Sequence, residues 1–112
     1  MRLTQAGMNA EFVDGRMLDI NQPYIKVLTL HSAKGLEFPF VVVVGLTQGS
    51  LPFIKRTTPP EEEPAAIDEQ RRLFYVGCSR AMRALMVCGS RSNPSIFLDS
   101  LCSPLWQRQE LP

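Results

Sequence analysis

The sequence predicts an α/β fold in which helices flank a parallel sheet. Residues 41–44 are four consecutive valines, and a strand without polar alternation is typical of one buried on both faces of such a sheet. A helical pattern over residues 65–82 separates this strand from a β-favouring stretch at residues 83–89. With a turn before the valines and a long loop after them, this order fits part of a doubly wound α/β domain.

Composition limits the class of protein more than its function. The 112 residues suit one domain, and a net charge of +1 gives no overall attraction to nucleic acid or to a membrane surface. The three cysteines lack CxxC spacing, so we interpret them as small, reduced and mostly buried side chains. Because the chain has neither a signal-peptide pattern nor an apolar run of ~20 residues, we expect a cytoplasmic protein.

Short elements precede the valine run. Residues 1–9 indicate the end of a helix closed by Gly7, and residues 10–13 indicate a short strand. Glycine, asparagine and proline within residues 15–23 predict a surface loop. Residues 24–30 are apolar and β-favouring, and therefore predict the next strand.

The first candidate site is the stretch 28–38, which we call the polar turn. It carries hydroxyl, imidazole, ammonium and carboxylate groups between two apolar segments. Residues 31–37 are too few for an ordinary helix and predict a tight turn or a single helical turn. Polar groups in such a place need partners, and ligands of doubly wound domains gather at the carboxyl ends of strands.

Two features of the polar turn have ordinary alternatives. His31 is the only histidine, and a lone histidine is more often a structural or surface residue; it supports neither a zinc site nor a catalytic triad. Lys34 and Gly35 resemble half of a phosphate loop, but the pattern G-x-x-x-x-G-K-[ST] is absent from these 112 residues. The chain therefore offers no cradle for the β- and γ-phosphates of a nucleotide.

After the valines we expect a loop and then an amphipathic helix. Residues 45–64 hold four prolines and an acidic run at 61–63, which is interpreted as solvated rather than as a metal site. At 100° per residue, the predicted helix has one broad buried face, with Leu73 and Arg80 at its edge. The members of that face are Ile67, Gln70, Phe74, Gly77, Cys78 and Ala81.

The chain is expected to close with a capped helix. Asn93 and Pro94 predict the N-cap and the first residue of a helix that ends near residue 101. Residues 102–112 predict a frayed tail.

Arginines cluster on or just beyond the predicted helix, namely Arg71, Arg72, Arg80 and Arg83. The ordinary interpretation is a solvated basic face paired with Asp68 or Glu69. Arg80, however, adjoins the apolar face and precedes Ala81. A rigid arginine in that place can reach a neighbouring surface and stabilise charge on a transferring phosphoryl group.

Two long motifs resemble those of a known family. Residues 27–39, VLTLHSAKGLEFP, resemble motif V of UvrD/Rep-type superfamily 1 helicases, and residues 69–81, EQRRLFYVGCSRA, resemble motif VI. Residues 45–52, GLTQGSLP, are similar to the stretch that follows motif V in that family. Residues 94–98, PSIFL, resemble the segment that closes its second motor domain.

The resemblance covers about residues 1–101, with residues 102–112 as a C-terminal tail. It implies a RecA-like (P-loop NTPase-type) fold, and this chain would be the C-terminal portion of the second RecA-like domain. Such helicases hydrolyse ATP with Mg²⁺ between two RecA-like domains and move along single-stranded DNA, usually 3′ to 5′. The implied partners are single-stranded DNA and the first RecA-like domain, and we expect this chain alone to bind no cofactor tightly.

The resemblance also implies roles for individual residues. Those assigned to DNA are Thr29, His31 and Lys34, and those assigned to ATP are Gly35, Glu37 and Arg80. Lys34 lies between the two groups, and Glu37 is implied to lie near the ribose. Arg80 matches the catalytic arginine finger that meets the γ-phosphate. The polar turn would then join the DNA track to the ATP cleft.

The chain departs from the family pattern at two positions of motif VI. Gln70 replaces a common glutamate, which puts any ion pair there in doubt, whereas Ser79 replaces a threonine and keeps its hydroxyl. Alternatives to a helicase motor segment stay open: a non-catalytic, helicase-derived module that binds DNA or protein, or part of a nuclease-fused recombination helicase of the RecB type. We expect no ATP hydrolysis by this chain alone.

Overall fold

A computed structural model describes residues 2–13 and 22–111 of the chain. These residues form two helices and four strands: α1 (Arg2–Gln5), β1 (Ala10–Phe12), β2 (Ile25–Val27), β3 (Phe38–Leu46), α2 (Glu63–Cys78) and β4 (Ala81–Gly89). Two 3₁₀ helices, Pro60–Glu62 and Ile96–Ser100, precede α2 and follow β4. The prediction of a loop over residues 15–23 falls largely on residues 14–21, which lie outside the described part.

All strand pairs in the ladders are parallel. Strand β1 pairs with β2, and β3 pairs with β4, with Val41 opposite Leu85 and Val43 opposite Val87. Parallel neighbours need a crossover connection, and α2 lies in the chain between β3 and β4. The predicted α/β class with parallel strands is thus confirmed.

The core lies between β3, α2 and the second 3₁₀ helix. Val43, Leu46, Phe74 and Phe97 form one buried cluster. The rings of Phe74 and Phe97 stack with centroids 5.8 Å apart and planes inclined by 15°. Offset stacking of this kind adds to the stability gained from burial itself.

The prediction that residues 41–44 are buried on both faces is wrong. Val43 is 7% exposed, whereas Val42 and Val44 are 58% and 69% exposed. Successive side chains of a strand point to opposite faces, and in the described part of the chain α2 packs against only one of them. The valines therefore alternate in burial although their sequence does not alternate in polarity.

The helix predicted over residues 65–82 begins earlier and ends earlier. Pro64 occupies the first turn, where a missing N–H costs nothing, so α2 starts at Glu63. It ends at Cys78 because Ala81 pairs with Phe38 and the chain enters β4. Arg80 consequently lies in the turn between α2 and β4 and not on the helix, which corrects the predicted placement.

The predicted final helix is also corrected. Ser95, not Asn93, is the N-cap, and its Oγ accepts a hydrogen bond of 3.2 Å from the Phe97 amide. Pro94 forms an isolated bridge with Thr47 instead of opening a helix, and the element is a 3₁₀ helix. Residues 102–111 contain no helix or strand, although the Arg91 side chain lies 3.7 Å from Glu110.

Several other predictions agree with the structure, and those for β2 and for the burial of the cysteines are corrected. Helix α1 is followed by Gly7 at a φ of +83°, a conformation that favours glycine, and β1 covers most of the strand predicted at residues 10–13. Strand β2 is shorter than the predicted 24–30. The three cysteines are free, but Cys78 and Cys88 are only half-buried and Cys102 is exposed, which corrects the expectation of mostly buried side chains. Burial raises the pKa of the Cys78 thiol to about 11. No described helix is both long enough and apolar enough to cross a membrane.

Candidate functional site

The polar turn is a compact loop between β2 and β3. The Ala33 amide donates to the Thr29 carbonyl at 3.2 Å, and the Leu36 amide donates to the Ala33 carbonyl at 3.1 Å. Gly35 has a φ of +81°, in the left-handed region that other residues rarely adopt. The predicted tight turn is therefore confirmed, and Gly35 is needed for its shape.

Thr29 stabilises the turn with its own side chain. Its Oγ1 accepts a 3.1 Å hydrogen bond from the Ser32 amide and donates a 3.0 Å bond to the Ser32 hydroxyl. A threonine that binds the backbone three residues ahead holds the chain in a turn and not in a strand. This explains why the strand predicted to reach residue 30 ends at Val27.

Two contacts join the polar turn to motif VI. A Cβ placed on Gly77 would lie 2.5 Å from Leu30 Cδ2, so Leu30 packs directly on the bare backbone of α2. At the other end of the turn, the Phe38 amide donates to the Arg80 carbonyl at 2.8 Å. The polar turn and the end of α2 thus form one packed unit.

Arg80 is half-buried and folds back over the last turn of α2. Its Nε donates to the Val76 carbonyl at 3.2 Å, and its Nη2 donates to Ser79 Oγ at 2.9 Å. A cation beside the unpaired carbonyls at a helix C-terminus is favourable. The Ser79 hydroxyl also donates to the Val76 carbonyl at 2.7 Å, so it holds the guanidinium beside the end of α2.

The other arginines fit the ordinary interpretation. Arg71 forms a 2.6 Å ion pair with Asp68 and lies over the Phe97 ring, 5.3 Å from its centroid. Arg72 and Arg83 are exposed. Only Arg80 is bonded to the helix end next to the polar turn.

The remaining predicted site residues lie along the exposed side of the turn. Thr29, Lys34, Gly35 and Glu37 are exposed, and His31 lines an open cleft of about 610 Å³. The residue after Glu37 is bonded to Arg80, so the end assigned to nucleotide lies next to the arginine. The end assigned to DNA borders the cleft.

Sequence reasoning missed the far wall of this cleft. Residues 53–58, which were interpreted only as loop, contribute Phe53, Ile54, Lys55 and Thr58 to its lining. Gln70 on α2 binds that segment through both atoms of its carboxamide. The only feature of the sequence that pointed to this contact was Gln70, which stands where the family commonly has a glutamate.

Metal ligands are not grouped in the described part of the chain, where no three histidine, cysteine or acidic side chains could together hold a metal ion. The acidic residues of the run at 61–63 are exposed. The site offers hydrogen-bond donors, one positioned guanidinium and an open cleft with mixed walls. Such groups can bind anionic ligands, but they do not form a complete catalytic centre.

Proteins similar in sequence to this chain are helicases, in agreement with the resemblance of its two motifs. The ATP-dependent DNA helicase Rep of Buchnera aphidicola (subspecies Baizongia pistaciae) is 38% identical over 104 residues, which cover 82% of this chain and 15% of that protein. DNA helicase II of Escherichia coli is 45% identical over 67 residues, covering 60% of this chain and 9% of the relative. The chain thus spans less than a sixth of the length of these relatives.

A solved structure supports the same relationship. The C-terminal domain of a possible DNA helicase from Lactobacillus plantarum superposes with a TM-score of 0.63 at 25% identity, covering 94% of this chain and 55% of that one. The family model of the UvrD-like helicase C-terminal domain matches residues 8–92. This match includes both the polar turn and Arg80, and the chain therefore belongs to the UvrD-like helicase C-terminal domain family.

Proposed function

We propose that this chain is the C-terminal portion of the second RecA-like motor domain of an ATP-dependent DNA helicase. In the complete enzyme it would couple ATP hydrolysis to 3′-to-5′ movement along single-stranded DNA and to duplex unwinding. Family membership supports the helicase assignment, and the parallel β3–α2–β4 arrangement is compatible with a RecA-like domain.

One observation carries the proposal: the hydrogen bond of 2.8 Å from the Phe38 amide to the Arg80 carbonyl. It joins the end of the polar turn to the residue before β4, and we propose that a shift of the turn would move Arg80 through this bond. In this proposal Arg80 is the arginine finger, which stabilises charge on the γ-phosphate. Gly35 and Glu37 face the nucleotide, with Glu37 near the ribose.

The opposite end of the turn is proposed to contact DNA. His31 lines the cleft, Thr29 lies exposed two residues before it, and Lys34 supplies a cation that can contact a phosphate. Leu30, which lies between Thr29 and His31, packs on Gly77, so single-stranded DNA bound to the turn would press on α2, the helix that leads to Arg80. This packing supports the proposal that the turn couples DNA binding to ATP hydrolysis.

ATP and Mg²⁺ would be held mainly by residues outside this chain. The G-x-x-x-x-G-K-[ST] pattern is absent from its sequence, and its described residues contain no metal-ligand group. The contribution of this chain is to orient Arg80 and to place Gly35 and Glu37 beside the nucleotide. We therefore expect the chain alone to bind single-stranded DNA weakly and to hydrolyse no ATP.

A chimera tests the proposal. Residues 8–92 would replace the matching segment of Escherichia coli DNA helicase II, with circular dichroism as the check on folding. We expect ATP hydrolysis that DNA stimulates and unwinding of duplexes that carry a 3′ single-stranded tail. A folded chimera that binds DNA without hydrolysing ATP would instead support a non-catalytic module.

A further inference from the structure

The cleft beside His31 has two walls that are far apart in sequence. The polar turn forms one wall, α2 forms the floor, and residues 51–58 form the other wall. Its lining residues are Leu30, His31, Leu51, Phe53, Ile54, Lys55, Thr58, Ala66, Glu69, Gln70 and Leu73. What holds the second wall in place decides the shape of the cleft.

Gln70 holds that wall with both atoms of its carboxamide. Its Oε1 accepts a 2.7 Å hydrogen bond from the Phe53 amide, and its Nε2 donates a 2.7 Å bond to the Phe53 carbonyl. Glutamine can donate and accept at once, whereas the ionised form of the glutamate common at this position in the family can only accept. A glutamate would set a carboxylate oxygen against the Phe53 carbonyl.

These two bonds are the only described hydrogen bonds between residues 53–58 and the rest of the fold. The Thr58 amide bonds to the Lys55 carbonyl at 3.0 Å, but that bond lies within the segment. The preceding residues are held elsewhere, since the Leu51 carbonyl accepts from the Ser95 hydroxyl. Gln70 therefore supplies the described hydrogen bonds that tie residues 53–58 to the rest of the fold.

The wall brings a cation to the cleft. Lys55 lines it together with His31, while Leu30, Leu51 and Leu73 supply apolar surface on the two walls and the floor. Single-stranded DNA offers both a phosphate for an ammonium and base faces for apolar surface. Glu69 also lines the cleft and would offset the charge of Lys55 if the two side chains met, so Lys55 must stay on its own wall for its ammonium to reach a phosphate.

We propose that Gln70 is a positioning residue for single-stranded DNA: it holds residues 53–58 so that Lys55 contacts a phosphate in the cleft that His31 borders. This inference rests on the proposed DNA contact of the polar turn. It adds residues 53–58 to the proposed DNA-binding surface. It also gives a role to Gln70, which stands where the family commonly has a glutamate.

The test compares neutral variants of two glutamines in the whole chain. Gln70→Met removes both hydrogen bonds at similar side-chain volume without adding charge, and Gln107→Met makes the same change in the exposed tail. Binding of a fluorescent thymidine oligonucleotide is measured over a range of salt concentrations. Exchange of the Phe53 amide proton is followed by NMR together with amides of the core.

Gln70→Met should weaken binding by about 3- to 10-fold, the loss expected for one or two hydrogen bonds. Lys55→Ala should reduce the slope of log K against log salt by about 0.7, the value for one phosphate contact to a single strand. In the Gln70→Met background, Lys55→Ala should have little further effect, because the two residues act through one contact. Phe53 exchange should accelerate while core amides stay protected.

Equal binding by wild type and Gln70→Met, or full additivity with Lys55→Ala, would overturn the positioning role and leave the DNA contact of the turn standing. Absence of oligonucleotide binding by the wild-type chain would overturn both this inference and the proposed DNA contact. A matching loss in Gln107→Met would show that the effect is not specific to the cleft.

Discussion

Leu30 occupies the space that any side chain at position 77 would need, since a Cβ on Gly77 would lie 2.5 Å from Leu30 Cδ2. A half-buried leucine of the polar turn is thus fitted to the one residue of α2 that has no side chain. Gly77 is buried and lies three residues before Arg80. This contact joins motif V to motif VI through packing, independently of any bound ligand.

A double-mutant cycle at Leu30 and Gly77 tests this contact. Gly77→Ala gains about 1 kcal/mol of helix propensity but forces Leu30 aside, at an overpacking cost of about 1–3 kcal/mol. In the Leu30→Ala background the clash is absent, so Gly77→Ala should be more favourable there by about 1–2 kcal/mol. Urea unfolding of the four proteins measures this difference; strict additivity would contradict the contact.

Gly35 should tolerate asparagine better than alanine. Its φ of +81° costs an alanine about 1–2 kcal/mol, whereas asparagine visits this region more readily. A Cβ there meets no atom within 4 Å, so the cost is conformational and not steric. Urea midpoints of Gly35→Ala and Gly35→Asn provide the comparison, and equal midpoints would show that the turn does not depend on this conformation.

The two faces of β3 should respond differently to the same substitution. Val43→Thr buries a hydroxyl among Leu46, Phe74 and Phe97 and should lower the free energy of unfolding by about 1–3 kcal/mol. Val44→Thr, on the face where that valine is 69% exposed, should change it by less than about 0.5 kcal/mol. Thermal unfolding of the pair measures both. A large loss in Val44→Thr would mean that this face is covered in solution.

Cys78 should give the chain a distinctive loss of stability at alkaline pH. Burial raises the pKa of its thiol from 9.0 to about 11, so between these values the folded state holds a proton that the unfolded state releases. The free energy of unfolding, measured by urea unfolding, should therefore fall as the pH rises from about 9 to 11, and Cys78→Ala should reduce that fall.

At neutral pH, the exposed Cys102 should react with a thiol reagent before Cys78 does. Simultaneous labelling of the two would contradict the burial of Cys78.

The sequence was sufficient to predict features that depend on residues close together in the chain. Gly7 and Gly35 mark positions of positive φ, and the polar turn lies where its composition placed it. The parallel arrangement of β3 and β4 follows from the helical stretch between them. Each of these features depends on neighbours along the chain, which a single sequence displays.

Helix ends, caps and loop contacts that depend on residues far apart in the chain could not be predicted from the sequence. The helix ends at Cys78 because Ala81 pairs with Phe38, and a helical pattern carries no information about that pairing. Ser95 caps the second 3₁₀ helix, whereas Asn93 donates from its Nδ2 to the Gln48 carbonyl, 45 residues away along the chain, at 3.0 Å. The Gln70–Phe53 contact crosses 17 residues and is apparent only once the loop has folded over α2.

The central claim is that Arg80 is the arginine finger, and one measurement tests it most directly: steady-state ATP hydrolysis by the helicase II chimera with saturating single-stranded DNA. Arg80→Ala should lower kcat by about 10³-fold, whereas Arg83→Ala, an exposed arginine three residues later, should leave it within about twofold. DNA binding should persist in both variants. Near-normal hydrolysis by a folded Arg80→Ala chimera would contradict the account.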